Sequence, residues 1–401
     1  MNTCYICQTP SIETILDFGP QPISNRFLKQ PSSQEFLHRL QFGSCQSCGL
    51  SQLIDPAPIH QVKPLFDWIR YNEPEGHLDD VVKNLILLPE ISPDSTFLGI
   101  TEKDTSTLVR LNKKGFLKTS ILDLKNDLGI DDSNAGLESI QEKVTVNFNR
   151  AISKNNESKK VILARHILEH AHNPLDFMEA LKALAGQNGY VVFEVPDNTK
   201  VLTSYDYSIL WEEHILYFTP QTLIATLKNS GFEIIFYKNY PYSMENSIVI
   251  IAKTNSNHKT FYYSKDIVKE EQKTHKNYGK NFPIRKKIIC DILNKLKKKG
   301  PIALLGAGHL AIHFINLMEL KNYIDFIVDD HPHKKNHYMP GSQLPILPTS
   351  ELIEKNIKFC LMSVSQESEI KVMNSNKKFL DMGGEFYSIF PTSHYGFQKF
   401  L

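Results

Sequence analysis

Apolar positions along this chain follow two periods that trade places as the sequence proceeds. Between about residues 61 and 254, short apolar runs of strand length at 96–100, 119–123, 160–164 and 189–195 are separated by stretches with helical spacing, among them 78–85 and 174–185. Alternation of this kind predicts a parallel sheet with helices on both faces. A second series begins after Gly300-Pro301 with 302–306 and continues through 325–329 and 358–364. The intervening 255–298 stretch is polar and lysine-rich, and its amphipathic end at 288–296 predicts a bridging helix. Residues 1–60 show no sustained period; they are rich in turn formers, including Gly19-Pro20-Gln21-Pro22, and carry paired cysteines. The expected fold class is α/β in three parts: a small module over 1–60, a Rossmann-like domain over 61–254, and the bridging helix with a second Rossmann-like domain over 255–401.

Composition supports several cores and narrows the partners. A chain of 401 residues with 41% apolar content can bury two or three cores. Its 45 Lys and Arg against 44 Asp and Glu leave a net charge of +1, too little for a field that would draw in nucleic acid or an anionic membrane. The start has neither a basic nor an apolar leader segment. No stretch reaches the roughly 18 uninterrupted apolar residues of a membrane span. A soluble, cytoplasmic protein is expected, a monomer or weak homo-oligomer. Six cysteines in so long a chain is not a disulfide scaffold.

Four of those cysteines form Cys4-Tyr5-Ile6-Cys7 and Cys45-Gln46-Ser47-Cys48-Gly49. Each pair sets two thiolates at the ends of a tight turn, where they can take adjacent corners of a tetrahedron around zinc. The long separation predicts two joined knuckles rather than a DNA-reading finger. Four thiolates leave no open position on the metal, so its role is structural. Four free thiols or a redox pair is the alternative reading.

Three further constellations carry possible chemistry. The strand ending in Gly99 leads into Gly99-Ile100-Thr101-Glu102-Lys103-Asp104, a turn with a single glycine at a place where a cofactor's backbone cradle would stand. Asp123 ends the next strand, either accepting from a ribose or capping its loop. Ala164-Arg165-His166-Ile167-Leu168-Glu169-His170 falls at the carboxyl edge of the sheet; it reads as an active-site loop, as crevice lining, or as a His166/His170 metal pair. Glu213-His214 sets a carboxylate beside an imidazole, suited to a general base or no more than a surface pair. In the last part, Gly306-Ala307-Gly308-His309-Leu310-Ala311 with Asp329 is a Gly-x-Gly-x-x-Ala turn, which serves a dinucleotide or close helix-to-sheet packing.

Taken in order, these segments resemble the three-part, zinc-containing sugar C-methyltransferases, enzymes that use S-adenosylmethionine (SAM) to methylate a carbon of a nucleotide-linked ketosugar. The resemblance spans nearly the whole chain. It rests on the two cysteine pairs with Gly19 to Phe27 and Cys48-Gly49-Leu50, on His166 to His170 and Glu213-His214-x-x-Tyr217-Phe218, and on Gly306-Ala307-Gly308, Val328-Asp329-Asp330 and Met339-Pro340-Gly341 to Ile346. It implies that His214, backed by Glu213, removes a proton beside the ketone, that His170 stabilises the enolate, and that the enolate attacks the SAM methyl. Implied cofactor contacts are Gly99, Thr101, Asp123 and His166. Implied substrate contacts are Trp68, Tyr71 and Trp211, where the family tends to carry tyrosines, with Gly306, Gly308 and Asp329. Two alternatives stay open: a homologue that binds a nucleotide sugar or a partner without methyl transfer, and an NAD-dependent sugar dehydrogenase or epimerase using the Gly306 turn.

Overall fold

The computed structural model describes the chain except residues 1, 32, 67–68, 70–72, 133–134, 147–160, 255–262 and 398–401. It gathers into two compact units: Met1–Thr14, Phe42–Thr199 and Glu213–Lys273 form the first, and Ile15–Gln41, Lys200–Glu212 and Thr274–Leu401 form the second. Strands are numbered in chain order, starting with β1 (Ile12–Pro22), β2 (Leu37–Cys45) and β3 (Ser51–Ile54). There follow β4 (Phe97–Gly99), β5 (Thr119–Ile121), β6 (Val161–Arg165), β7 (Tyr190–Asp197), β8 (Leu216–Tyr217), β9 (Phe232–Tyr240) and β10 (Asn246–Thr254).

The first unit holds a six-stranded sheet of order β5-β4-β6-β7-β10-β9. Every residue of β6 is buried, and its alternation splits the core in two. Val161 and Leu163 share one cluster with Val81, Val82 and Leu85 of the helix Leu78–Ile86 and with Leu108 and Leu111 of the helix Thr105–Lys113. Ile162 and Ala164 join the other, with Phe177, Met178 and Leu181 of the helix Pro174–Ala185. Each large apolar side chain so buried contributes about 1.5–3 kcal/mol.

The expected parallel sheet is corrected here: β5, β4, β6 and β7 run parallel, but β10 pairs antiparallel with both β7 and β9. Only residues 241–245 join β9 to β10, and a connection that short makes a hairpin, never a crossover.

A smaller sheet of order β1-β2-β3-β8 carries the head of the chain. Within the first unit, β3 pairs antiparallel with β8 at Ser51↔Tyr217 and Gln52↔Leu216. The Leu53 amide adds a bond to the Ile215 carbonyl at 2.8 Å, and Ser51 Oγ donates to the Tyr217 carbonyl at 3.1 Å.

The second unit has an all-parallel sheet of order β13-β12-β11-β14-β15, with β11 Ile302–Leu305, β12 Phe326–Val328, β13 Ile346–Leu347, β14 Phe359–Met362 and β15 Glu385–Ser388. Its core is built on Ala303, Leu305, Phe326, Val328, Cys360, Met362 and Phe386. The bridging helix is longer than its amphipathic end suggested, spanning Lys265–Lys297 with Pro283 inside it.

Candidate functional site

The four cysteines of the head converge. Cys4 and Cys48 Sγ are 3.7 Å apart, Cys7 and Cys45 Sγ are 3.5 Å apart, and all four sulfurs lie within 4.8 Å of one another. Thiolates on a tetrahedron with metal–sulfur bonds of about 2.3 Å stand roughly 3.8 Å apart, so the set fits one zinc ion. Each knuckle closes by the same device. Gln8 (φ +58°) and Gly49 (φ +80°) turn the chain back, with their amides donating to the carbonyls of Cys4 and Cys45. The Ser47 and Cys48 amides point at Cys45 Sγ, each 3.4 Å away. The sulfurs titrate as one set, contacts among them lowering Cys45 and raising Cys4 and Cys48, so a bound cation is what lets all four stand as thiolates.

The carboxyl edge of the large sheet carries a second concentration of polar groups. His170, on the short 3-10 turn Leu168–His170, donates from Nδ1 to Glu138 Oε1 at 2.8 Å. Its ring meets that of His214 edge-on at 4.7 Å. Ligating atoms of Glu169, His170 and His214 lie within 4.8 Å of one another, as do those of Glu138, His170 and Glu213. All five are buried. The sequence-predicted His170, Glu213 and His214 are thus brought together, with Glu213 grouped beside Glu138 and His170. Glu138 had no signal in the sequence: it is a lone carboxylate at the start of the helix Leu137–Lys143, and only the topology delivers it to His170.

Next to this cluster lies a buried charge network. Glu194 on β7 accepts from Arg165 Nε (2.5 Å), His166 Nε2 (3.0 Å) and Ser247 Oγ (2.8 Å), and His77 Nε2 is 2.9 Å away. Burial opposes its charge, but His166, His77 and Arg165 prevail and hold its carboxyl well below the usual range. His166 stands in the left-handed region at φ +48°. Burial opposes its protonation too, yet Glu73 and Glu194 raise it to about 10, so it is an imidazolium. Glu73, paired with Lys103 at 2.8 Å, falls to about 2 despite burial because of His166 and Lys103.

Several predicted cofactor contacts are used internally. Thr101 Oγ1 accepts from the Lys103 amide at 3.3 Å, and the Ile100 and Thr101 amides both donate to Asp104 Oδ2, at 2.8 and 3.0 Å. A Cβ on Gly99 would come within 2.7 Å of the Asp104 Cβ, so this glycine is required by Asp104. Burial lifts Asp104 to about 7 against those amides. Asp123 caps its own turn, Oδ1 accepting from Lys125 and Asn126. Both ring nitrogens of His166 face carboxylates, Glu194 and Glu169.

Of the predicted substrate contacts, Trp68 and Tyr71 lie outside the described residues. Trp211 belongs to the second unit, where it stacks on His309 with ring centres 4.3 Å apart and donates from Nε1 to Ser24 Oγ at 3.0 Å. In the same unit, Gly306 (φ +102°) has no room for a Cβ, which would come within 2.8 Å of Ser363 Oγ, whereas Gly308 has nothing within 4 Å. Asp329 is engaged at both oxygens, Oδ2 by the Ala307 amide and Lys334 Nζ, Oδ1 by the His331 amide. That arrangement ties Asp329 into the turn and its neighbouring loop, as close packing there requires.

The comparisons with known proteins give the class: this is a methyltransferase. Three family models match in succession, a zinc binding domain at residues 4–61, a methyltransferase domain at 106–236 and a C-methyltransferase C-terminal domain at 254–391. Together the three matches give the chain the domain set of a C-methyltransferase with a zinc binding module at its head. The C-methyltransferase NovU of Streptomyces niveus is 18% identical, over 98% of this chain and 96% of its own length. Among solved structures, a SAM-dependent methyltransferase from Methanosarcina mazei is 13% identical, covering 44% of this chain and 97% of its own, with a TM-score of 0.29. The 1,6-didemethyltoxoflavin-N1-methyltransferase of Burkholderia thailandensis is 10% identical over 45% of this chain and 77% of its own, with the same TM-score of 0.29. Among the described residues no helix is long and apolar enough to cross a membrane.

The residues fit SAM in chemistry, though not through a glycine-rich turn. Arg165 Nη2 and Glu169 Oε2 are buried polar atoms without a hydrogen bond to the described residues, suited to the charged groups of the cofactor's amino-acid end.

Proposed function

We propose that this methyltransferase acts on a carbon beside the ketone of a nucleotide-linked sugar, with His214 as general base. The observation that carries the reading is the edge-on pair of buried imidazoles at 4.7 Å, one of them fixed by Glu138. A ketone acidifies the proton on its neighbouring carbon, and a neutral imidazole is a base of suitable strength at neutral pH. With Nδ1–H committed to Glu138, the His170 ring is held in one orientation, and in its protonated form Nε2–H would donate to the enolate oxygen as negative charge develops there. Glu213 stands in the same cluster, grouped with Glu138 and His170. Bound SAM supplies the electrophilic methyl group that the carbanion takes.

The test separates deprotonation from transfer. Nucleotide-linked ketosugars are incubated with the protein in deuterated water without SAM, and deuterium at the carbon next to the ketone is followed by NMR. The expected result is wash-in that falls about 10²- to 10⁴-fold in His214→Ala. Wash-in unaffected by that substitution, or methyl transfer from SAM in its absence, refutes His214 as the base.

A further inference from the structure

Among the buried polar atoms of the charge network that make no hydrogen bond, His77 Nε2 faces Glu194 at 2.9 Å, and the others lie on Arg165 and Glu169. Arg165, the last residue of β6, donates from Nε to Glu194 Oε2 and from Nη1 to the Lys103 carbonyl. Its Nη2 is buried and has no hydrogen-bond partner among the described residues. Four residues on, Glu169 is only 1% exposed, and neither of its oxygens makes a good hydrogen bond to the described residues. Its charge is met by His166 Nδ1, 3.4 Å from Oε1, beyond good hydrogen-bond length. Buried polar atoms are almost always satisfied, and one left unmade costs the full desolvation of the group. Arg165 Nη2, a spare donor on a cation, and Glu169 Oε2, a spare acceptor on an anion, stand four residues apart and are the complement of an α-amino-acid zwitterion.

The turn after β4 does not compete for that role. Its Ile100 and Thr101 amides donate to Asp104, and Asp104 packs against Gly99 where a cofactor would otherwise approach. β6 pairs parallel with β4, so the carboxyl ends of the two strands lie side by side at the edge of the sheet where ligands of such folds bind. Glu169 also shares the tight cluster with His170 and His214.

We infer that Arg165 and Glu169 clamp the amino-acid end of SAM, Arg165 taking the α-carboxylate through Nη2 and Glu169 the α-ammonium. The inference rests on the methyl-donor reading above. It gives this chain a side-chain grip on the cofactor in place of a glycine-lined backbone one. The residue that receives the ammonium adjoins the two imidazoles, which ties donor binding to the proposed acceptor chemistry.

Three ligands test it by calorimetry on the full-length, zinc-loaded protein: S-adenosylhomocysteine, its decarboxylated analogue, and methylthioadenosine, which lacks both charged groups. The wild type should weaken by about 10- to 100-fold at each removal. Arg165→Met should bind the first two ligands alike, and Glu169→Gln the last two alike, each keeping its methylthioadenosine affinity, which also reports folding. Wild-type protein that binds all three equally, or an Arg165→Met that keeps its preference for the carboxylate, overturns the clamp while leaving the methyl-donor reading intact. Wild-type protein that binds none of them overturns the methyl-donor reading itself. Should Arg165→Met also lose methylthioadenosine, the wild-type series and Glu169→Gln decide the matter.

Discussion

Replacing Glu194 by glutamine keeps the size and shape of the side chain and removes one charge from the centre of the network. The carboxylate is buried, and so are Arg165 and His166, with side chains 2% and 6% exposed, so water cannot take its place. Glutamine can still accept from Arg165 or Ser247, but its NH₂ group would face a donor. Two cations would remain with reduced compensation. Breaking a buried pair by removing one partner costs about 3–5 kcal/mol. Opening of β6 and β7 should therefore become about a hundred- to several thousand-fold more frequent, on the order of a factor of ten per 1.4 kcal/mol. Hydrogen exchange read by mass spectrometry on peptides covering 161–170 and 190–197 measures that opening directly, without requiring the two units to unfold together. Exchange less than about tenfold faster in Glu194→Gln would mean that Glu194 does not hold these cations, and the network as described would be wrong.

Two further outcomes follow from the same physics. His166 is raised from 6.5 to about 10, so its contribution to stability is complete below about pH 6.5 and is lost as pH rises through about 10. Asp104, raised from 3.8 to about 7, acts in the same direction at lower pH, favouring the native state below 3.8 and progressively less up to 7. Thermal melts at constant ionic strength should show a midpoint that declines across the alkaline range, with a flatter slope in Glu194→Gln; a midpoint rising from pH 7 to 10 contradicts the assignment. Stripping zinc with a chelator, followed by a colorimetric indicator, should release the metal together with a loss of exchange protection at 45–54 and at 213–218. Protection at 213–218 that survives complete metal loss would show that the head does not support that segment.

Much of this molecule was legible because its signals are local. The Cys-x-x-Cys pairs name their own ligands, and fully apolar runs such as Val161 to Ala164 name buried strands. The short link between Phe232–Tyr240 and Asn246–Thr254 was there to be read as a hairpin, but β9 alternates buried and exposed residues weakly, as edge strands do. What stayed hidden was long-range. Nothing near Glu138 or His77 in sequence says that one will meet His170 and the other Glu194. Asp123 shows the converse: it sits where a cofactor contact is expected, and one of its oxygens is engaged by the backbone of its own turn. Acidic residues after strands serve ligands and loops equally well, and only geometry separates the two.

The pairing of β3 with β8 bears on how this protein can be divided. β8 is two residues long and lies immediately after Glu213-His214, and its partner strand comes from the metal-bearing head more than 150 residues earlier in the chain. A truncation that starts at about residue 61, where the head seems to end, would leave that strand an unpaired edge and deprive the Ile215 carbonyl of its donor. Such a fragment would keep the large sheet and still present the imidazole segment without its backing. The head is therefore poorly suited to exchange between relatives as a cassette, because a graft must also reproduce the register Ser51↔Tyr217.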